Sequence, residues 1–324
     1  MAYYIGCDLG GTNMRAAVLN SESGELLGMQ SVPTRAEEGH DGVMKRIAEL
    51  FDNVIAASSV NRSEISGASI GLPGSMNTDT GYTTYMTNLP DHWINVPVSD
   101  TMQKLTGIPT FILNDARAIT WGELSKGAGR GCNTLACYTM GTGIGGGVVV
   151  NGRLLMGQTG QAGELGHQIV EPHGNDCNCR GKGCLETYCS GPAIRSAAIK
   201  AVCHGSTTIL GEMVGYDLNK ITPRTVAEAA LRGDKIANNI YRQAGFYLGI
   251  AIVNAIVTLE PDRVILAGGV AAAGRLLLDP IWELIHERCY VAPMMNFDIV
   301  RGELGDDAGI IGNAMWADFK LTGK

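Results

Sequence analysis

The chain has 324 residues, of which 45% are hydrophobic and 18% charged, and a formal net charge of −7. That length exceeds what one hydrophobic core usually serves, so two lobes are expected in a soluble globular protein. The acidic balance argues against a nucleic-acid partner, and no basic n-region precedes the first apolar run to suggest a signal peptide.

Residues 3–9 form an apolar run that stops at Gly10-Gly11, and residues 14–19 resume it. Ser21-Glu22-Ser23-Gly24 then turns the chain into residues 26–32. Apolar runs separated by glycine turns predict an antiparallel meander. A helix is predicted over 43–57, with Val43, Ile47, Leu50, Val54 and Ala57 on one face. Residues 68–72 and 110–113 read as buried parallel strands, with a long loop and a helix near 99–106 between them. A further helix is expected over 116–126.

The pattern then restarts. Residues 134–139 run into the glycine turn Gly141 to Gly147, then into 148–150, and after Gly152 into another strand. Strand, glycine turn and strand thus occur twice, which predicts a duplicated α/β unit. After the cysteine-rich loop the chain reads as helical, notably over 225–232 and 236–259. A short strand over 264–266 ends at Gly268-Gly269, and residues 308–319 form a closing helix. The apolar stretch 244–259, broken by Asn254, reads as a buried helix too short to span a membrane.

Glycines between two strands let backbone amides approach a polyphosphate and form an anion nest. Asp8-Leu9-Gly10-Gly11-Thr12-Asn13 adds an acid able to hold Mg²⁺ and a hydroxyl at Thr12, and Met140-Gly141-Thr142-Gly143 repeats the pattern without the acid. A tight turn needing positive φ would explain either loop taken alone. Gly141, Gly143 and Gly146 match G-x-G-x-x-G in letters, but Gly147-Val148-Val149-Val150 continues as a strand, which argues against a Rossmann site. The chain contains no G-x-x-x-x-G-K-[ST].

Cys177, Cys179 and Cys184 follow His167 closely, a Cys₃His set of the kind that closes around a structural zinc. His173 and Cys189 compete as ligands. Cys189 is expected at a helix start, facing away, and His173 in solvent. Cys7, Cys132, Cys137, Cys203 and Cys289 read as small buried hydrophobes. Nine cysteines without a secretory signal suit a reducing, cytoplasmic setting.

Asn114-Asp115 follows a buried strand, which puts a carboxylate where open α/β sheets hold ligands. There it can take a hydroxyl proton as that oxygen attacks phosphorus. A helix cap is the plainer alternative. Glu164 and Glu186 flank the cysteine loop, and closing that loop on a metal would gather them with His167 to grip vicinal hydroxyls.

These motifs, with Gly71-Leu72-Pro73-Gly74, Asn88-Leu89-Pro90 and Ala267-Gly268-Gly269-Val270, resemble the ROK family (repressors, open reading frames and kinases), most closely its bacterial glucokinases. The resemblance covers essentially the whole chain. It implies the two-lobed actin-like ATPase (ribonuclease H-like) fold, with residues 1–114 plus 308–324 as a small lobe. Residues 115–307 would form the large lobe, with a zinc loop over 167–184.

The implied activity is ATP-dependent phosphorylation of a hexose, with glucose at its 6-hydroxyl the expected substrate. Allose, mannose, fructose or N-acetylmannosamine are the alternatives. Asp115 would be the general base, Asn114 would hold neighbouring hydroxyls, and Gly74 and Asn88 would add contacts. Glu164, His167 and Glu186 would grip the anomeric end. Asp8, Gly10, Gly11, Thr12 and Asn13, with Gly141, Thr142 and Gly143, would hold the phosphates. Gly268 and Gly269 would line the base and ribose. Zinc would sit on His167, Cys177, Cys179 and Cys184, and Mg²⁺ would accompany ATP.

A repressor of this family would carry a helix-turn-helix module ahead of the body, and the first strand begins at Tyr3. The resemblance also implies a dimer or tetramer, without nucleic-acid or membrane partners. One departure concerns the cysteine loop, where Arg180 stands in place of the family's glycine and Gly181 is expected to supply the flexibility instead.

Overall fold

The computed structural model describes residues 2–86, 89–291 and 296–323. The chain forms two compact units, one of Met1–Gly131, Leu154–Gly163 and Glu303–Lys324, the other of Cys132–Arg153 and Glu164–Gly302.

The first unit opens with β1 (Tyr3–Leu9), β2 (Asn13–Asn20) and β3 (Leu26–Pro33), paired as the antiparallel meander read from the sequence. Helix α1 (Gly39–Ser58) buries Val43, Ile47, Leu50 and Val54 against them, with Phe51 and Ile55. Ala57, expected on that face, is exposed. Next come β4 (Ile65–Leu72), a hairpin of β5 (Ser75–Asn77) and β6 (Tyr82–Tyr85), α2 (Val98–Thr106), β7 (Thr110–Asn114) and α3 (Asp115–Lys126). β4 pairs with β1 and with β7 in parallel, giving the order β3-β2-β1-β4-β7.

The second unit repeats this plan. It starts with β8 (Leu135–Met140), β9 (Ile144–Val150) and, where the chain passes back to the first unit, the short β10 (Arg153–Leu154). Helices α4 (Glu186–Cys189), α5 (Gly191–Cys203), α6 (Leu210–Met213), α7 (Pro223–Leu231) and α8 (Lys235–Leu259) follow. β11 (Arg263–Ala267), α9 (Arg275–Arg288) and β12 (Asp298–Arg301) complete it. β8 is antiparallel to β9 and parallel to β11, and β11 is parallel to β12, in the order β10-β9-β8-β11-β12. Gly145, Gly146 and Gly147 belong to β9, so the glycine turn is confined to residues 141–143.

The closing helix α10 (Ala308–Thr322) returns to the first unit. It presses on β1 and on α3 through glycines. A side-chain carbon at Gly6 would stand 1.9 Å from Ile310 O, and one at Gly312 would stand 1.7 Å from Ala118 O. Because α3 packs on α10, the chain divides after Gly131 and before Glu303, where the sequence reading placed the divisions at 114/115 and 307/308.

α8 extends the apolar stretch 244–259 to 25 residues, long and apolar enough by composition to cross a membrane. Its Tyr241, Ala244, Leu248, Ile252 and Ile256 are instead core residues of the second unit. Two of the scattered cysteines depart from the expected burial: Cys203 is exposed and Cys132 only partly covered, while Cys7, Cys137 and Cys289 are buried.

Candidate active site

In the first unit, β1 and β2 are joined by a turn in which Gly10 N donates to Asn13 O at 3.0 Å. A side-chain carbon at Gly10 would stand 2.7 Å from that oxygen, so the turn requires glycine there. Gly11, Thr12 and Asn13 are exposed. Among the described residues the amides of Gly11 and Thr12 take no protein acceptor, which leaves them to an anion.

Asp8, just before this turn, lies in register between Arg15 of β2 and Gly71 of β4. The first turn of α10 covers it, with Gly309 about one methyl away: a side-chain carbon there would be 3.5 Å from Asp8 Oδ2. Burial pushes the Asp8 carboxyl up from its ordinary 3.8, against the downward pull of Arg15. A bound cation would reverse that shift.

β7 delivers Asn114 and Asp115. The cap belongs to Asn114, whose Oδ1 accepts from Ala116 N at 3.1 Å and from Arg117 N at 3.2 Å. Its Nδ2 donates to Gly74 O at 3.2 Å, which leaves one amide hydrogen for a ligand. Gly74 itself has φ +124, a conformation that favours glycine. Asp115 occupies the first helical position, half-buried, with Oδ1 accepting from Ala116 N at 2.8 Å. Asn88 lies outside the described residues.

In the second unit the corresponding turn is closed by Gly141 N donating to Gly143 O at 2.9 Å. Gly191 N, at the start of α5, donates to Gly141 O at 2.9 Å, so the positive end of that helix meets the turn. Gly268 has φ +88, and a side-chain carbon there would stand 2.5 Å from Met140 O. Gly141, Thr142, Gly191, Pro223 and Gly269 line a cavity of about 950 Å³, walled further by apolar Ile199, Ile221 and Val270. That volume suits a nucleotide. The α5 and α7 walls were missed individually, although Ser190-Gly191-Pro192 and Thr222-Pro223 are both a capping hydroxyl followed by an early proline.

His167 rides on a 3₁₀ turn, Leu165–His167, pressed onto β9. A side-chain carbon at Gly166 would stand 1.8 Å from Ile144 O, and one at Gly146 would stand 2.9 Å from Leu165. Glu164 opens the same turn, its carbonyl accepting from His167 N at 3.0 Å. The ligand atoms of His167, Cys177, Cys179 and Cys184 all lie within 4.8 Å of one another. Cys179 Sγ and Cys184 Sγ are 3.6 Å apart, and Cys177 Sγ is 3.7 Å from His167 Nδ1. A tetrahedral zinc with sulfur at about 2.3 Å sets neighbouring sulfurs about 3.7 Å apart, so the four side chains fit the ion. Cys189 is buried on α4, its thiol directed to Leu185 O at 3.5 Å, and stands outside this group.

Arg180, where the family's pattern has glycine, takes a left-handed φ of +70. Gly181 serves differently from the expected flexibility: a side chain there would crowd Cys179 Sγ at 3.2 Å and Cys184 Sγ at 3.6 Å. Gly183 has φ +71, and a carbon on it would stand 1.8 Å from Glu171 O. Glu186, the first residue of α4, lies 3.8 Å from His167 Nδ1 and accepts from Cys177 Sγ at 3.0 Å.

The description of the ROK family matches residues 4–320. A glucokinase of Thermotoga maritima is 37% identical over 312 residues, covering 96% of this chain and 95% of that protein. One of Halalkalibacterium halodurans is 35% identical over 314 residues, covering 96% and 93%. A solved ROK family glucokinase from Streptomyces griseus, in complex with glucose and AMPPNP, is similar with a TM-score of 0.81 at 29% identity, covering 98% of this chain and 99% of that one.

Proposed function

The chain belongs to the ROK family, and we propose that it transfers the γ-phosphoryl group of ATP to the 6-hydroxyl of glucose. The observation that carries this reading is likeness to glucokinases over 96% of the chain. The fold agrees, since the duplicated sheet is that of the actin-like ATPases and each copy carries its own glycine turn.

Each unit contributes its own chemistry. From the first, Asp115 takes the proton of the 6-hydroxyl as that oxygen attacks the γ-phosphorus. Asn114 offers its remaining amide hydrogen to a neighbouring hydroxyl, and its cap fixes the first turn of the helix that carries Asp115. The Gly10–Asn13 turn presents amides and the Thr12 hydroxyl to phosphate oxygens, while Asp8 is the acid for Mg²⁺. When bound there, that ion offsets charge on the β- and γ-phosphates.

From the second unit, Gly141, Thr142 and Gly143 hold phosphate at the N-terminus of α5, and the cavity lined by Gly269, next to Gly268, takes the base and ribose. Glu164, Glu186 and the outward nitrogen of His167 accept and donate to hydroxyls at the anomeric end. His167, Cys177, Cys179 and Cys184 would hold zinc, which when bound fixes the loop and leaves no open position for catalysis.

Incubation of the purified chain with glucose and ATP, followed by ³¹P NMR, tests the reading. Glucose 6-phosphate and ADP in equal amounts are expected. Hydrolysis of ATP without a phosphorylated sugar would overturn it.

A further inference from the structure

Thr34 lies just past β3 and is fully buried, yet no motif singles it out. Its amide donates to Thr12 O at 2.8 Å and its hydroxyl donates to Gly10 O at 2.6 Å. With Gly10 N donating to Asn13 O, the carbonyls of Gly10, Thr12 and Asn13 are all engaged by protein donors.

A trans peptide points its C=O and the following N–H in opposite directions. Drawing the Gly10 carbonyl toward Thr34 therefore turns the Gly11 N–H away from Thr34. Drawing the Thr12 carbonyl the same way fixes the backbone from which the exposed Thr12 hydroxyl projects. The register pairs Asn13 with Pro33, so the bond from Thr34 N–H to Thr12 O continues the β2–β3 ladder one step past that pair, and the Gly10 carbonyl, beyond the ladder, is held by the Thr34 hydroxyl.

We infer that Thr34 is a positioning residue for the nucleotide phosphates: it touches no ligand but holds the Gly10–Asn13 turn with its amide face open. The inference rests on the reading of that turn as a phosphate loop. Thr34→Val keeps the side-chain shape and the amide but loses the hydroxyl, and leaves Gly10 O without its donor. Its KM for ATP should rise about tenfold while the KM for glucose stays within about twofold. Thr34→Ser, which restores the hydroxyl, should return the ATP KM close to wild type.

Steady-state kinetics of Thr34→Val, Thr34→Ser and Thr12→Val, varying ATP and glucose separately, decide the matter. If only Thr12→Val raises the ATP KM, Thr34 is not a positioning residue, though the loop still binds phosphate. If neither valine variant raises it, the phosphate-loop reading itself fails and takes this inference with it. Equal rises in both Michaelis constants, or no rescue by serine, would mark Thr34 as a general packing residue and overturn the inference.

Discussion

The carboxylate of Glu186 lies against Gly143: a side-chain carbon at position 143 would stand 3.0 Å from Glu186 Oε2. A residue read as gripping the sugar thus rests on the turn read as holding phosphate, and the space for it is the missing side chain of a glycine. Gly143 has no positive φ, so its backbone would accept alanine.

Gly143→Ala should therefore act on the sugar more than on the nucleotide. The added methyl displaces the Glu186 carboxylate by a few tenths of an ångström, and the KM for glucose should rise by about threefold to tenfold. The KM for ATP should change less. Initial rates with each substrate varied in turn check this.

Asp115→Asn should lower kcat by roughly 10²-fold or more while leaving the KM for glucose nearly unchanged, because the proton acceptor is removed and its shape kept. The helix should survive the substitution, since Asn114 provides the cap. Asn114→Ala is the contrasting variant: loss of the cap should cost about 1 kcal/mol of stability and also release Gly74 O. Circular dichroism and single-turnover kinetics on both variants separate the two roles.

Asp8 predicts a trade of stability for function. Its carboxyl is raised above the ordinary 3.8 by burial, so the folded chain holds that proton more tightly than the unfolded one. The penalty for ionising it is absent below the ordinary value and grows as pH rises through the raised one. Asp8→Asn should then melt at a higher temperature than wild type at neutral pH, with the gain fading toward pH 4, and should lose most Mg²⁺-dependent activity. Thermal melts across pH without nucleotide check the sign.

The cysteine loop predicts one zinc per chain. Cys179→Ser should lose the metal and, with it, affinity for glucose, while Cys203→Ser, exposed and outside the cluster, should keep both. Arg180→Gly should retain zinc and be at least as stable, because Arg180 already bears a left-handed φ that costs a side chain about 1 kcal/mol. Elemental analysis of the three purified variants, with their KM for glucose and thermal melts, checks these outcomes.

The sequence was most legible where chemistry and glycine coincide. The β1–β2 turn, the Cys₃His set and the Asn114-Asp115 step sit where the chain was read to place them, because each needs particular residue types at fixed spacing, while the second turn is shorter than read because Gly145 to Gly147 are strand. Helix starts were less clear, as at α1, whose first turn lacks apolar side chains. α9 carries Pro280 inside it, which interrupts any helical reading. Thr34 was invisible because its work is to bind backbone carbonyls, and a lone buried threonine leaves no pattern. Glu186 and Gly143 are far apart in sequence, so their contact follows only from the packing of α4 beside the β8–β9 turn.

A glucose kinase should prefer glucose to the other sugars that could reach the same site. The direct measurement is a coupled ADP-release assay over glucose, mannose, allose, fructose and N-acetylmannosamine, with kcat/KM determined for each. Glucose should exceed every other sugar by about tenfold or more, the discrimination expected when one misplaced hydroxyl leaves a buried partner unpaired. A higher kcat/KM for any of the other four sugars, or no sugar-dependent ADP release at all, would contradict it.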